Sequence, residues 1–295
     1  MPLPAKKAQA TAELLFAAII WGFGFIATVW ALKSVDPISM SFIRFFVTFL
    51  VGIMIAVLFL KFSKAQHKTH FKQSFLPGIL LSLVIVLQTW GLETTTATNS
   101  GFITTLYVVM VPLIELFVFR KRIPKVHALW VLLAIGGTAL IIQFHLDQFT
   151  KGDLLTLICA VFAAIQIVWI GQIHKQIESA YLFNVYQSFW AALAAIIIIP
   201  FYGKLYFNSP DLLAVIGLLS LTFGSTLIAF ALQVRAQRVL SPSIASLIFL
   251  LESPFALIFA IYFLKESMTE LQAMGALLIF FSAVGATLAE RRAKS

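Results

Sequence analysis

The stretch LLFAAIIWGFGFIATVWAL (residues 14–32) runs for nineteen residues without a charge. An α-helix rises ~1.5 Å per residue and a bilayer's hydrocarbon core is ~30 Å thick, so about 20 apolar residues span it. Nine more stretches of this kind follow, at 38–60, 75–93, 97–119, 126–144, 154–172, 180–200, 212–232, 241–264 and 270–289. Only short connections remain between them. In lipid every backbone N–H and C=O must find its partner within the segment, which favours helices. The chain reads as an all-α integral membrane protein of ten transmembrane helices.

Composition agrees. Hydrophobic residues make up 61% and charged residues 11%, with a mean hydropathy of +0.98. Soluble domains carry about 25% charge, so soluble classes are excluded. The single cysteine, Cys159, lies inside a span and reads as a small buried apolar residue. His67 and His70 sit in a Lys-rich loop without metal-ligand spacing. There is no Gly-rich phosphate loop, no metal set and no catalytic cluster, so no cofactor is expected. Lys6 and Lys7 precede the first apolar run as in a signal peptide, but the run is longer than a usual h-region and more spans follow. It reads as an uncleaved first span.

The net charge of +9 is unevenly placed. With the N-terminus in the cytoplasm, inner segments hold sixteen of the 21 Lys and Arg: Lys6, Lys7, Lys61, Lys64, Lys68, Lys72, Arg120, Lys121, Arg122, Lys125, Lys175, Arg235, Arg238, Arg291, Arg292 and Lys294. Outer segments hold Lys33, Lys151, Lys204 and Lys265, and Arg44 lies within a span. This asymmetry places both termini in the cytoplasm; the expected location is the plasma membrane, the bacterial inner membrane. The basicity is orientation and lipid contact rather than a nucleic-acid footprint.

The chain divides near residue 150. Pro112 and Pro254, Arg44 and Gln187, GILLSL (78–83) and GLLSL (217–221), and the Val-Trp pairs at 29–30 and 168–169 all recur at offsets of 138–143. Five spans is an odd number, so a second copy must enter the membrane upside down. Two inverted five-helix repeats, 1–149 and 150–295, follow, an architecture that places a solute site near the midplane. Asp36–Pro37, Asn208 to Asp211 and Ser241–Pro242 punctuate the spans. Ala191/Ala195 and Ser282/Ala286 offer small faces for close helix contact. Lys61 to Ser74 reads as the longest loop.

At this point a family becomes recognisable. TTTATNSGFITTLYVVMVPLIELFVFRKRIP (94–124) and LLESPFALIFAIYFLKE (250–266) resemble the EamA-type transporters of the drug/metabolite transporter (DMT) superfamily. WGFGF (21–25), the Pro37-to-Arg44 spacing and GDLL (152–155) fit the same pattern. Ser253 stands where that family often has Pro, and Lys265 where it often has Gly. The resemblance implies ten helices in two inverted halves and export or exchange of small metabolites. It also places the first, third and fourth spans around the cavity.

Charges at membrane depth cost roughly 2.5–3.5 kcal/mol each on insertion scales, so each asks for a reason. Glu252 is the deepest, and Pro254 beside it can open the helix. It either binds a cationic or amino group or carries a proton, or it stays protonated and bonds a neighbouring helix. Arg44 lies about two turns inside the outer surface, where Glu93 closes the third span. An ion pair or snorkelling accounts for it, as does an outer gate or an anion contact. Glu115, one turn from Arg120 and Arg122, reads as an interfacial pair. Trp21, Gln88, Tyr107, Gln166 and Gln187 are neutral polar residues within spans. The candidate substrate-binding set is Trp21, Gln88, Tyr107, Gln166 and Glu252, with Arg44 and Glu93 as gate or ion pair. Trp30, Trp90 and Trp169 read as interfacial anchors.

The expected function is secondary transport of a small organic solute, such as an amino acid or a drug-like metabolite, by alternating access. Protons are a candidate coupling ion, the bilayer is the partner, and the oligomeric state is monomer or homodimer. An integral-membrane enzyme acting on lipid and a channel are the alternatives.

Overall fold

The structure, a computed structural model, describes residues 3–121, 125–142, 149–202 and 205–292. Arg122, Lys204 and Lys294 of the charge count, and the side chains of Lys125, Ala286, Arg291 and Arg292, lie outside the described residues. The helices are α1 (Leu3–Ala31), α2 (Pro37–Ile55), α3 (Lys64–Gln73), α4 (Phe75–Gly91), α5 (Ala97–Thr104), α6 (Tyr107–Phe117), α7 (Lys125–Ile142), α8 (Lys151–Ile173), α9 (Ala180–Tyr202), α10 (Leu212–Leu219), α11 (Phe230–Gln237), α12 (Pro242–Phe249), α13 (Glu252–Phe259) and α14 (Glu270–Arg292). Among the described residues no strand forms beyond one isolated bridge, Val35 to Phe207.

Seven helical segments are long and apolar enough to cross a membrane: 5–31, 37–60, 97–117, 151–176, 180–202, 212–237 and 242–264. The bent pair α3 and α4, meeting at 51°, makes an eighth if it is one span. The remaining two stretches hold shorter apolar helices, 128–140 and 270–285. Length and apolarity in the described residues thus support seven or eight spans, where the sequence reading has ten.

Local chemistry explains the helix ends. Asp36 caps α2, accepting from Ile38 N at 3.0 Å and Ser39 N at 2.9 Å, with Pro37 at the first position. Thr150 and Asp153 form a capping box on α8. Ser63 and Gln66 form another on α3, with His70 and Lys72 near the negative end of its dipole. The stretch Lys61 to Ser74, read as a loop, therefore holds a ten-residue helix. Wide-turn helical segments occur at 56–60, 220–229 and 260–264. The first and last end on Lys61 (φ 49°) and Lys265 (φ 58°), in the left-handed region that glycine enters freely. That accounts for the Gly preference noted at position 265.

The helices pair in a reciprocal pattern: α2 on α9, α7 on α14, α4 on α8 as α10 on α1, and α6 on α8 as α13 on α1. Ala191 and Ala195 are buried on α9, where Gly78 of α4 comes against the Gln187 carbonyl. Ser282 of α14 donates to the Trp130 carbonyl of α7 at 2.6 Å.

Beside those at the interrupted helices and the wide turn, described below, polar contacts between residues before and after position 150 form two further groups at opposite ends. At one, Arg235 Nε donates to both Glu13 oxygens at 3.0 Å, Ser243 donates to Glu115, and Ser179 N–H donates to His70 at 3.1 Å. At the other, Asp36 N–H donates to Tyr206 O at 3.1 Å, Asn208 N–H to Ser34 O at 2.7 Å, Tyr202 to Glu93 at 2.6 Å and Thr95 to Asp153 at 2.5 Å; Thr98 also donates to Glu266. Glu115 pairs with Lys121 at 3.4 Å; of the two arginines the sequence offered, Arg120 is not its partner among the described residues and Arg122 lies outside them. Arg120 takes φ 53°, and the turn brings Lys121 N–H back to the Glu115 carbonyl at 2.9 Å.

Candidate functional site

Two spans are interrupted midway, between α5 and α6 at Thr105–Leu106 and between α12 and α13 at Leu250–Leu251. Pro254 has no N–H to give to the Leu250 carbonyl four residues back. Ser253 N–H takes that carbonyl instead, at 3.2 Å, and α13 starts anew at Glu252 with Pro254 in its first turn, where a donor is not needed. The two breaks face each other. The Ser253 hydroxyl reaches Thr105 Oγ1 at 3.0 Å and Gly101 O at 3.2 Å, and Tyr107 O–H donates to Glu252 Oε1 at 3.2 Å. Gly22 of α1 packs against the Glu252 carbonyl, so α1 presses on the same point.

A second polar centre lies on the wide-turn segment 220–229. Turns of this width free main-chain carbonyls and recur at functional sites. Thr48 donates to Thr222 O at 3.0 Å, and Asn184 donates to Thr226 O at 2.9 Å and Leu227 O at 3.2 Å. Arg44, 2% exposed, donates through Nε to Thr226 Oγ1 and through Nη2 to Ser225 Oγ, both at 2.9 Å. The Thr226 hydroxyl in turn donates to Leu221 O at 2.8 Å.

Between these centres is a cavity of about 600 Å³ including its opening. Trp21, Gln88, Tyr107, Gln166 and Glu252 all line it, as does Arg44. Trp21 has its ring against Phe230 (4.9 Å between centroids) and Phe249 (5.0 Å). Gln88 donates to Thr104 Oγ1 at 3.0 Å. Trp21 Nε1, Gln166 Nε2 and Gln233 Oε1 are buried and have no hydrogen-bond partner among the described residues. Buried polar atoms are usually paired, so these three offer unused donors and an acceptor.

Glu93 is not in this cavity, and the Arg44–Glu93 pairing is corrected. Arg44 turns inward to the hydroxyls of 225 and 226, while Glu93 stays at the helix end with Tyr202. Nor does Arg44 snorkel outward. Nearby, Tyr206 lies between spans; burial, then the Glu93 and Asp36 carboxylates, hold its phenol above the usual range, and it donates to Leu32 O at 2.8 Å. Gln187 is fully buried away from the cavity lining, its side-chain amide without a hydrogen-bond partner among the described residues.

The sequence reading missed Thr28, Thr104, Ser225 and Gln233, which also line the cavity, together with the aromatic walls Phe25, Phe230 and Phe249. Threonine and serine in spans commonly bond their own helix, as Thr28 does to Gly24 O at 2.8 Å, so they give no signal by type. His67 and His70 are engaged by Tyr186 O–H and by Gln66 O and Ser179 N–H.

Comparison with known proteins bears on this arrangement. The model of the EamA-like transporter family matches twice, over residues 12–143 and 150–288. A protein of Archaeoglobus fulgidus named "Uncharacterized transporter" is 33% identical over 284 residues, covering 95% of this chain and 86% of that one. A solved structure described as "Crystal structure of protein" superposes with a TM-score of 0.70 at 18% identity, over 98% of this chain and 99% of its own, and speaks to the fold alone. A helical membrane fold, an interior cavity between interrupted helices and two matches to one family model agree: the chain belongs to the EamA-like transporter family, part of the DMT superfamily, and is a multi-pass membrane transporter of a small molecule.

Proposed function

We propose that the protein is a secondary carrier that moves a small organic metabolite, such as an amino acid or a drug-like solute, by export or exchange. It does so by rocking two inverted five-helix halves, 1–149 and 150–295, about the central cavity. The single observation behind this reading is that both halves line the cavity, α1, α2, α4, α5 and α6 from one and α8, the wide turn 220–229, α11, α12 and α13 from the other. The reciprocal helix pairing and the two family matches support the repeat. Interrupted helices meeting at mid-depth are the usual site of solute and coupling ion in such carriers. The polar ties at each end join one half to the other, so a cycle would release one set while the other holds. Glu252 is the candidate proton carrier.

Purified protein in proteoliposomes should give saturable flux of one solute from a metabolite mixture. Trp21→Ala and Tyr107→Phe should each lower the initial rate at least about five-fold, since each removes a hydrogen bond or aromatic contact worth about 1 kcal/mol. Unchanged rates in both would remove the site assignment, and linear, unsaturable flux would point to a channel.

The charge asymmetry supports cytoplasmic termini, and the proposed topology has ten crossings of the plasma membrane between them. A membrane-impermeant maleimide should then label Lys68→Cys only from the cytoplasmic side and Ser209→Cys only from outside; both positions are exposed, and the native Cys159 is buried. Labelling of both from one side would overturn the odd-numbered halves.

A further inference from the structure

Arg44 is a buried cation with neutral partners. Among the described residues no carboxylate forms an ion pair with it. Its Nε and Nη2, the side edge of the planar guanidinium, are taken by the hydroxyls of Ser225 and Thr226. The remaining edge, carrying Nη1, makes no hydrogen bond to a described residue, and Arg44 lines the cavity. The other charged residue on the lining, Glu252, already accepts from Tyr107. Removing a charge from water is costly unless an opposite charge meets it, and structural ion pairs supply that charge within the protein. Here the protein supplies hydroxyls that fix the fork's orientation, and Nη1 is left without a described partner on a residue that lines the solute space. A planar guanidinium held in this way matches a carboxylate with two parallel N–H to O bonds. Around it the walls are aromatic: Phe25, Trp21, Phe230 and Phe249.

We infer that Arg44 is the anion anchor of this cavity: the solute carries a carboxylate that docks on the open guanidinium edge, with an apolar body against the aromatic walls. This rests on the reading of the cavity as the solute site and adds the chemistry that selects the solute. Ser225 and Thr226 are positioning residues.

The test uses the full-length protein in lipid nanodiscs and matched pairs that differ only in charge: isovalerate and isovaleramide, 3-phenylpropanoate and 3-phenylpropanamide, indole-3-acetate and indole-3-acetamide. Dissociation constants come from ligand-dependent thermal stabilisation. The acid of at least one pair should bind about ten-fold more tightly than its amide, the contribution of one charge-assisted pair. In Arg44→Gln that preference should shrink to within about two-fold, while Arg44→Lys should keep part of it. Equal binding of acid and amide by the native protein, undiminished acid preference in Arg44→Gln, or no acid stabilising the native protein would each overturn the inference. The native comparison decides even if a variant fails to fold. Saturable flux of a neutral or cationic solute alongside any of these results would leave the carrier reading standing and remove only the anion anchor.

Discussion

Gly22→Ala is expected to lower the thermal midpoint of the detergent-purified protein by about 2–12 °C and to abolish transport. A Cβ at Gly22 would stand 2.6 Å from Phe255 Cβ, 2.9 Å from the Glu252 carbonyl oxygen and 3.0 Å from Ala256 N. Two of these are main-chain atoms of α13, which cannot swing aside. Overpacking of this kind costs about 1–3 kcal/mol, and in a chain of this size each kcal/mol moves the midpoint by about 2–4 °C. The functional loss should exceed the stability loss, because the displaced main chain carries Glu252. Gly136→Ala is the control: it meets nothing within 4 Å, and adding a methyl in a helix interior is neutral or slightly stabilising. Equal midpoints for the two variants would show that α1 and α13 are not held at this distance.

Glu252→Gln should separate proton coupling from solute movement. The amide has the carboxylate's shape and can still accept from Tyr107, so the meeting of the two interrupted helices survives. It cannot carry a proton. Accumulation driven by an imposed pH gradient should fall at least about a hundred-fold, while exchange of labelled for unlabelled solute continues, as expected when one obligatory ionisable group of an intramembrane relay is lost. Glu252→Leu should lose both activities and leave the Tyr107 hydroxyl buried and unpaired, at a cost of about 1–3 kcal/mol. Full gradient-driven accumulation in Glu252→Gln would refute the proton role.

The helical fold was legible because lipid leaves the backbone few options and marks each buried stretch by its apolarity. Depth within the spans, together with the resemblance that puts the first, third and fourth spans around the cavity, singles out Trp21, Gln88, Tyr107, Gln166 and Glu252, and all five line one cavity, while Gln187, noted on the same ground of depth, lies away from it. Depth, however, carries no azimuth. Arg44 and Glu93 sit toward the same end but face different neighbours, so their nearness in depth misled. Ser225 and Gln233 escaped notice for a related reason: short hydroxyls are common within spans, and Gln233 stands close to the basic end of its helix. The wide turn at 220–229 has no distinctive composition; it is recognisable only through the side chains of Thr48 and Asn184 that occupy its freed carbonyls. The helix Lys64–Gln73 was hidden by its charge, although Ser63 and Gln66 stood at capping-box spacing.

The contact between the segments around Val35 and Phe207 is made mainly of main-chain atoms: Asp36 N–H meets Tyr206 O, and Asn208 N–H meets Ser34 O. A seam of peptide groups is indifferent to most side-chain exchanges, yet it depends on chain length. One residue inserted on either side would slip every pairing and turn Tyr206 away from Leu32. Spacing between the flanking helices, more than the identity of what fills it, is therefore what this rim of the molecule must preserve.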